Sequence, residues 1–208
     1  MTQYRQELRV FNRLKSDCSN EARKEYEQAI SILQQRYNTT IYENRFIVGG
    51  AVEMFTHALL RSVGIDCTLY ADQSKSGDIL LPNDRKLSVK SAFTGGAASI
   101  KLMNKMGSGD RVWETATLFV LANVGIVFGA HDMVPEDSVK DVRDGLELRK
   151  RAVEFLMKDP ANIFSCIVPK KQPTETTGHS QKASTTIARS ILVESNLVEL
   201  HNALGKQK

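Results

Sequence analysis

An acidic and a basic side chain flank a short stretch of the chain that is otherwise mostly apolar. Asp78 opens the run 78–81, and Lys90 lies in the run 87–93. Between the two runs stands Pro-Asn-Asp-Arg, which is rich in turn-forming residues, so this segment predicts a β-hairpin. Alternation along a strand places Ser88 and Lys90 on one face. Asp78 shares that face if the connection has an odd length or a bulge, whereas an even length turns it away.

A carboxylate beside an ammonium group on one face of a hairpin suits phosphodiester hydrolysis. Mg²⁺ prefers carboxylate and water ligands, so Asp78 would hold this ion against a phosphate oxygen. Lys90 would orient the attacking water or stabilise the pentavalent phosphate. A cross-strand ion pair on the surface explains the same two residues, and such pairs contribute roughly 0.2–1 kcal/mol. The spacing alone leaves both interpretations open.

The sequence GDILL, followed by LSVKSAF, resembles the PD-(D/E)xK nucleases, and residues 45 to 130 resemble a type II restriction endonuclease. In that family an Asp opens one strand and (D/E)xK lies on the next, within a sheet flanked by helices. The resemblance implies that Asp78 is the first Asp, with Gly77 in the place of the Pro, and that Lys90 is the Lys. It also implies Mg²⁺ as the cofactor and Glu53, in GGAVEMF, as a Glu that members often carry on a preceding helix.

Ser88 departs from the family pattern, because it occupies the place of the second acidic residue and serine is a poor metal ligand. We expect Glu53 to supply the missing carboxylate, with Glu114 and Asp72 as weaker candidates. A Glu on an amphipathic helix otherwise lies on the solvated face. His57, one turn beyond Glu53, is interpreted as a hydrogen-bonded histidine and not as a ligand. If no carboxylate replaces Ser88, the protein uses one metal ion or is inactive.

Three polar segments suit contact with DNA phosphates and base edges: the Gly- and Ser-rich stretch 94–110, the loop 169–185 and the N-terminal helical region. The loop is equally well interpreted as a solvated connection, and the N-terminal helices as a structural cap. The predicted DNA contacts are Lys101, Asn104, Lys105, Arg111, Lys170, Lys171, His179, Gln181 and Lys182. The formal net charge of +4 permits such binding without arguing for it.

Hydrophobic and turn-forming residues alternate along the chain in a pattern that predicts helices and strands in one mixed domain. The predicted helices are residues 3–15, 20–36, 48–63 (ending at Gly64), 136–158 and 186–204. The predicted strands are residues 65–71, 78–81, 87–93, 117–122, 125–129 and 162–168. This order predicts an α/β fold with a mixed β-sheet flanked by helices, similar to the restriction endonucleases, after an N-terminal helical segment.

Length and composition are typical of one globular domain, with 208 residues, 41% hydrophobic and 25% charged. We expect a single nuclease domain over 1–208, with a helical part at 1–45, a catalytic core at 46–168, and a polar loop with a C-terminal helix at 169–208. The three cysteines are far apart, which predicts reduced thiols and no zinc site. No apolar run approaches the ~20 residues of a membrane span, so a cytoplasmic location without membrane contact is expected.

The predicted function is that of a Mg²⁺-dependent type II restriction endonuclease, which cuts double-stranded DNA at a short specific sequence. A palindromic site would be matched by a two-fold homodimer, and a cognate DNA methyltransferase would belong to the same system. Two alternatives remain open. One is a repair or recombination nuclease of the same fold, and the other is a non-catalytic DNA-binding protein that has lost a carboxylate.

Overall fold

The computed structural model describes residues 2–37, 42–70, 77–104, 112–143, 145–170 and 184–205. Its helices are α1 (Arg5–Asp17), α2 (Asn20–Arg36), α3 (Tyr42–Ser62), α4 (Lys150–Met157), α5 (Ser184–Glu194) and α6 (Val198–Gly205). Its strands are β1 (Thr68–Leu69), β2 (Ile79–Leu80), β3 (Lys86–Ala92), β4 (Ile100–Asn104), β5 (Thr117–Leu121), β6 (Gly125–Gly129), β7 (Val139–Val142), β8 (Gly145–Leu148) and β9 (Ile163–Phe164). Among these helices none is long and apolar enough to cross a membrane.

The main sheet is mixed, with the strand order β1-β2-β3-β5-β6-β9. β3 and β5 run parallel, with Ser88 opposite Thr117 and Lys90 opposite Phe119. The remaining pairs in this sheet are antiparallel. The prediction of an α/β fold with a mixed sheet flanked by helices is therefore confirmed.

A smaller antiparallel sheet has the order β4-β8-β7, and it contradicts one of our predictions. The single helix predicted over 136–158 is wrong, because β7 and β8 lie within this stretch and its only α-helix among the described residues is α4. Gly145 has a φ of +138°, which few residues other than glycine adopt, and the chain reverses just before it. The Gly- and Ser-rich stretch 94–110 contains β4, which the sequence did not predict.

Two hydrophobic cores lie on opposite faces of β5, whose side chains alternate between them. Leu118 and Val120 belong to the first core, which joins the main sheet to α1, α2, α3, α5 and α6. Phe119 and Leu121 belong to the second core, which joins the main sheet to α4 and the small sheet. All five residues of β5 are buried, so this strand separates the two cores.

The ends of the helices follow local signals in the sequence. The Ser19 hydroxyl accepts a hydrogen bond from the amide of Ala22 and caps α2, as an N-cap serine does. α3 stops just before Gly64, whose φ is +72°, but it begins earlier than predicted. The C-terminal helix predicted over 186–204 is in fact α5 and α6, which are separated at Asn196 with a φ of +52°.

Two strands are shorter in the structure than the sequence predicts. Among the described residues of the stretch 65–71, only β1 is strand, and of the stretch 162–168, only β9 is strand. Both lie at the outer edges of the main sheet, where one neighbour sets the length of pairing. Apolar residues in these stretches, such as Ile65 and Val168, nevertheless pack into the first core.

Candidate active site

The β2–β3 hairpin sets which face Asp78 occupies. Ile79 pairs with Leu87, and the same register continued by one residue places Asp78 opposite Ser88. Five residues, 81–85, connect the two strands, so the connection has an odd length. This is the condition under which Asp78 shares a face with Ser88 and Lys90. The turn closes through a hydrogen bond of 2.7 Å from the Leu81 amide to the Arg85 carbonyl.

Three donors converge on one oxygen of the Asp78 carboxylate. Oδ2 accepts from the Ser88 hydroxyl at 2.8 Å, from the Val89 amide at 2.6 Å and from the Lys90 ammonium at 3.2 Å. Lys90 Nζ also donates to the Val89 carbonyl at 3.1 Å, which fixes the end of its side chain. Within the described residues no hydrogen bond engages Oδ1 of Asp78. The carboxylate is thus held in one orientation through its Oδ2.

Glu53 lies in the middle of α3, which packs on β3. The pKa of the Glu53 carboxyl is raised to about 7, first by burial and second by the negative charge of Asp78, while Lys90 opposes the rise. Such charge effects act between close neighbours. Glu53, Asp78 and Lys90 therefore share one electrostatic environment, although they lie on three separate elements.

The site lies at the border of the second core. Lys90 is paired with Phe119 in parallel register, so its side chain is on the same face of the sheet as that buried ring. Ala92, two residues further along β3, packs against the second core. The side chains of Lys90 and Asp78 remain 25% and 20% exposed. The site is therefore partly buried.

The charged groups of the site match the ligand preference of Mg²⁺. This ion typically takes one or two protein carboxylates and completes its shell with water and phosphate oxygens. Glu53 and Asp78 supply two carboxylates. The raised pKa of Glu53 favours its protonated form, and a nearby cation would lower this pKa and favour the charged carboxylate. In the part of the chain that the structure describes, no group of three or more His, Cys, Asp or Glu residues is placed to hold a metal. The chemistry of these two carboxylates therefore fits Mg²⁺.

The other residues that we considered for the site make hydrogen bonds of their own. The Ser88 hydroxyl donates to Asp78, so it orients a carboxylate. Glu114 is exposed, and its main-chain oxygen accepts a hydrogen bond of 2.7 Å from the Tyr4 hydroxyl. His57 is buried, its Nε2 donates to the Cys67 carbonyl at 3.0 Å, and burial lowers its pKa, as expected for a neutral hydrogen-bonded histidine. Asp72 lies outside the described residues.

Few of the predicted DNA contacts are placed by the structure. Lys101 is exposed on β4 opposite Glu147 of β8, and the backbone of Asn104 ends β4. Lys170 is exposed, and its Cδ lies 3.4 Å from the position that a Cβ on Gly95 would occupy. The candidates that lie outside the described residues are Lys105, Arg111, Lys171, His179, Gln181 and Lys182.

Two features of the molecule were not anticipated from the sequence. The Val89 amide makes the shortest contact to Asp78, and a main-chain donor has no signature in residue type. The β7–β8 hairpin exposes the basic residues Lys140 and Arg143 beside the small sheet. Gly145 lies within the stretch predicted as a helix, and a glycine there is a signal for an interruption of the helix.

Comparison with known proteins supplies no relative on which to base a function. No family model, no curated protein and no solved structure matches this chain.

Proposed function

We propose that the protein is a Mg²⁺-dependent endonuclease that hydrolyses phosphodiester bonds of double-stranded DNA at a short specific sequence, in the manner of type II restriction endonucleases. The observation that carries the proposal is the partly buried pair of Asp78 and Lys90, whose charges both act on the carboxyl of Glu53. Two carboxylates beside one ammonium group form a donor set that suits phosphoryl chemistry. The mixed sheet flanked by helices agrees with the fold that this chemistry would use.

Glu53 and Asp78 would hold the Mg²⁺ ion in this proposal. When bound, the ion would neutralise charge on the scissile phosphate and lower the pKa of a coordinated water. Asp78 is prepared for this role because Ser88, Val89 and Lys90 all donate to its Oδ2. A carboxylate already held by three donors loses little conformational freedom on binding a ligand.

Lys90 would act on the phosphate and on the attacking water. Its ammonium group is held by the Asp78 carboxylate and the Val89 carbonyl, so two of its three protons have fixed acceptors. The remaining proton can be donated to a phosphate oxygen or to water. A positive charge kept in a partly desolvated site stabilises negative charge more strongly than one in bulk water.

Exposed basic residues near the sheets would contribute to DNA affinity, and we include Lys101 and Lys170 among them. Phosphate contacts of this kind position a duplex without reading its sequence. We include a homodimer in this proposal, because its two-fold symmetry would match a palindromic site. We also include a cognate DNA methyltransferase as a partner in the same system.

One observation favours a second candidate, a DNA-binding protein without catalysis. Ser88 stands where the family places an acidic residue, and its hydroxyl binds Asp78. If Glu53 does not act as a metal ligand, the site would have one carboxylate and would bind DNA without cutting it.

Incubation of the purified protein with supercoiled plasmid tests the proposal. Separate reactions contain Mg²⁺, Mn²⁺, Ca²⁺ or EDTA, and the products are separated on a gel. We expect discrete fragments with Mg²⁺ or Mn²⁺, and plasmid that is bound but uncut with Ca²⁺. Cleavage at full rate in excess EDTA contradicts metal-dependent hydrolysis. Intact plasmid in every reaction, together with a retarded DNA band, favours the non-catalytic candidate.

A further inference from the structure

Three segments of the chain meet where the parallel strands β3 and β5 end. The amide of Ala122, just past β5, donates to the Ala92 carbonyl at 3.0 Å, and the amide of Gly96 donates to the Ala122 carbonyl at 3.1 Å. The third segment joins them because the Asn123 amide donates to the Val168 carbonyl at 2.8 Å. Main-chain hydrogen bonds therefore connect the loop after β3, the β5–β6 turn and the segment after β9.

Two side chains converge on Gly95, which lies in the loop after β3. The position that a Cβ on Gly95 would occupy is 3.4 Å from Asn123 Nδ2, 3.4 Å from Lys170 Cδ and 3.5 Å from Lys170 Cε. An amide nitrogen and the end of a lysine side chain are thus brought to the same point. Gly95 has a φ of +94°, which favours glycine, and the missing side chain leaves its main chain accessible to a ligand at that point.

The backbone that leads to Lys170 is fixed at both preceding residues. The Val168 carbonyl accepts the hydrogen bond from Asn123, and the Pro169 carbonyl accepts one of 3.0 Å from Gln34 Nε2. Val168 is also buried in the first core. The side chains of Lys170 and Asn123 are nevertheless exposed. Two exposed donors are therefore carried by anchored backbone, which reduces the entropy lost when a ligand binds.

The chemistry of Gly95, Asn123 and Lys170, which we call the junction cluster, matches an anion with several oxygen atoms. A lysine ammonium group has three protons to donate and no acceptor, and an amide nitrogen has two protons to donate. Phosphate oxygens accept hydrogen bonds from both kinds of donor, and the positive charge of Lys170 complements their negative charge. A phosphate therefore suits this cluster.

The junction cluster lies beyond Lys90 along the same strand. β3 ends at Ala92, and Gly95 follows Lys90 by five residues. Five residues of chain span at most about 18 Å, which limits the distance between the backbone of Lys90 and that of Gly95. One strand of DNA rises about 3.4 Å per nucleotide, so a single strand can reach both places within about five nucleotides.

We propose that the junction cluster binds a phosphate of the DNA backbone, a few nucleotides from the phosphate at Asp78 and Lys90. This inference rests on the proposed function, which it deepens by assigning one fixed contact to the substrate. Lys170 supplies the charge and Asn123 a hydrogen bond, while Gly95 allows the phosphate to approach the main chain. Such a contact positions the duplex without reading its sequence.

Three substitutions in the junction cluster and two matched controls test this assignment. Lys170→Ala removes the charge, and Lys170→Arg keeps it. Asn123→Asp replaces a donor with a charged acceptor, and aspartate tolerates the left-handed backbone there, where φ is +64°. The control for it is Asn196→Asp, at an exposed residue with a φ of +52°. The control for Lys170→Ala is Lys24→Ala, which removes an exposed lysine from α2.

Binding of a fluorescent plasmid fragment in Ca²⁺ is measured at several salt concentrations, and thermal unfolding checks that each variant is folded. One phosphate contact contributes about 0.9 to the slope of log affinity against log salt. Lys170→Ala should reduce the slope by about this amount and weaken binding by on the order of tenfold, as a lost hydrogen bond to a charged group does. Lys170→Arg should bind nearly as the wild type does. Asn123→Asp should also weaken binding, because its negative charge opposes the phosphate, and both controls should keep the wild-type slope.

Failure of this assignment is distinguishable from failure of the proposed function. An unchanged slope for Lys170→Ala, or an equal reduction for Lys24→Ala, overturns the junction cluster as a site and leaves the nuclease function standing. A wild-type protein that binds DNA without cutting it contradicts the nuclease function, and the slopes still decide the role of the cluster. A wild-type protein that neither binds nor cuts DNA overturns both proposals.

Inorganic phosphate alone distinguishes a site for free phosphate from a site for DNA. It is added at constant ionic strength to the wild type and to Lys170→Ala, and the unfolding temperature of each is measured. Stabilisation of the wild type only, together with equal DNA slopes for the two proteins, would assign the cluster to free phosphate and overturn its assignment to DNA.

Discussion

Two antiparallel hairpins of this molecule carry charged side chains in opposite ways. On the β2–β3 hairpin the charges converge, since Lys90 donates to Asp78 at a half-buried position. Around the β7–β8 hairpin the charged side chains are exposed. The nearby ion pair of Arg151 and Asp137 is an example, because these two side chains are 55% and 66% exposed. Exposed pairs are screened by water and contribute little, whereas partial desolvation strengthens every charge interaction. Both regions pair an aspartate with a basic residue, and they differ in how far these side chains are buried. Burial therefore distinguishes the candidate site from a solvated ion pair.

The sharpest test of the comparison substitutes the acidic partner in each region. Asp78→Ala should abolish cleavage, because the site loses a metal ligand; a loss of several kcal/mol in the barrier is several factors of ten in rate. DNA binding should persist or tighten, because a negative charge beside a phosphate is removed. Asp137→Ala is the exposed control and should cleave as the wild type does. Plasmid cleavage by Asp78→Ala at the wild-type rate would reduce the β2–β3 pair to a structural one.

Substitution of one lysine in each region should show the same contrast in cleavage rate, with a somewhat smaller effect than substitution of the aspartates. Lys90→Ala should lower the cleavage rate nearly as far as Asp78→Ala, since charge stabilisation and water positioning are lost together. Lys150→Ala removes the exposed i,i+4 pair with Glu154, at 3.5 Å, and should cost about 0.3–0.5 kcal/mol of stability and no activity. Single-turnover rates and urea unfolding measure both quantities. Equal activity of these two variants would show that burial does not distinguish the two regions.

The pH dependence of stability tests whether Glu53 belongs to the half-buried group. Its pKa of about 7 in the folded protein exceeds the ordinary value of 4.5, so the folded state holds a proton that the unfolded state has lost. Stability should therefore fall as pH rises from about 4.5 to 7 and then level off. Glu53→Gln should remove this slope and be more stable above pH 7, by up to about 3 kcal/mol at about 1.4 kcal/mol per unit. Urea titrations in EDTA from pH 4 to 8 measure the effect.

Parallel pH profiles of the wild type and Glu53→Gln would contradict this placement of Glu53. Lys90→Ala supplies a check on the neighbouring charge, because Lys90 opposes the rise in the pKa of Glu53. Its removal should raise that pKa further and move the slope to higher pH.

The smallest effect is expected at Ser88, which orients Asp78 without replacing it. Ser88→Ala removes one of three donors to Oδ2 and leaves the Val89 amide and Lys90 in place. A net hydrogen bond to a charged group contributes about 1.5–3 kcal/mol, so cleavage should weaken without being abolished. The cleavage rate and the Mg²⁺ concentration at half-maximal rate measure this. A loss as complete as that of Asp78→Ala would make Ser88 part of the reacting group.

Local signals made the β2–β3 hairpin predictable, whereas over 136–158 they led us to predict one helix that the structure does not have. In the hairpin, turn-forming residues and alternation agreed, so the elements were expected nearly where they lie. In 136–158 the apolar residues also fit a helical spacing, and Asp144-Gly145 carried the only contrary signal. The pairing of β8 with β4, which decided the outcome, joins segments that are far apart in sequence. Long-range pairing of this kind overrides a local periodicity.

By itself the sequence determined the first two helices, the β2–β3 hairpin and the shared face of Ser88 and Lys90, because these depend on neighbours in the chain, whereas the length of the β2–β3 connection in the structure decided that Asp78 shares this face. It also identified Glu53 as a candidate through its resemblance to a nuclease family. Only the tertiary structure decided that Glu53 lies within the electrostatic reach of Asp78 and that the Val89 amide holds this carboxylate. Packing of α3 on β3 controls how far each group is removed from water, and desolvation is a property of the assembled fold and not of any one segment.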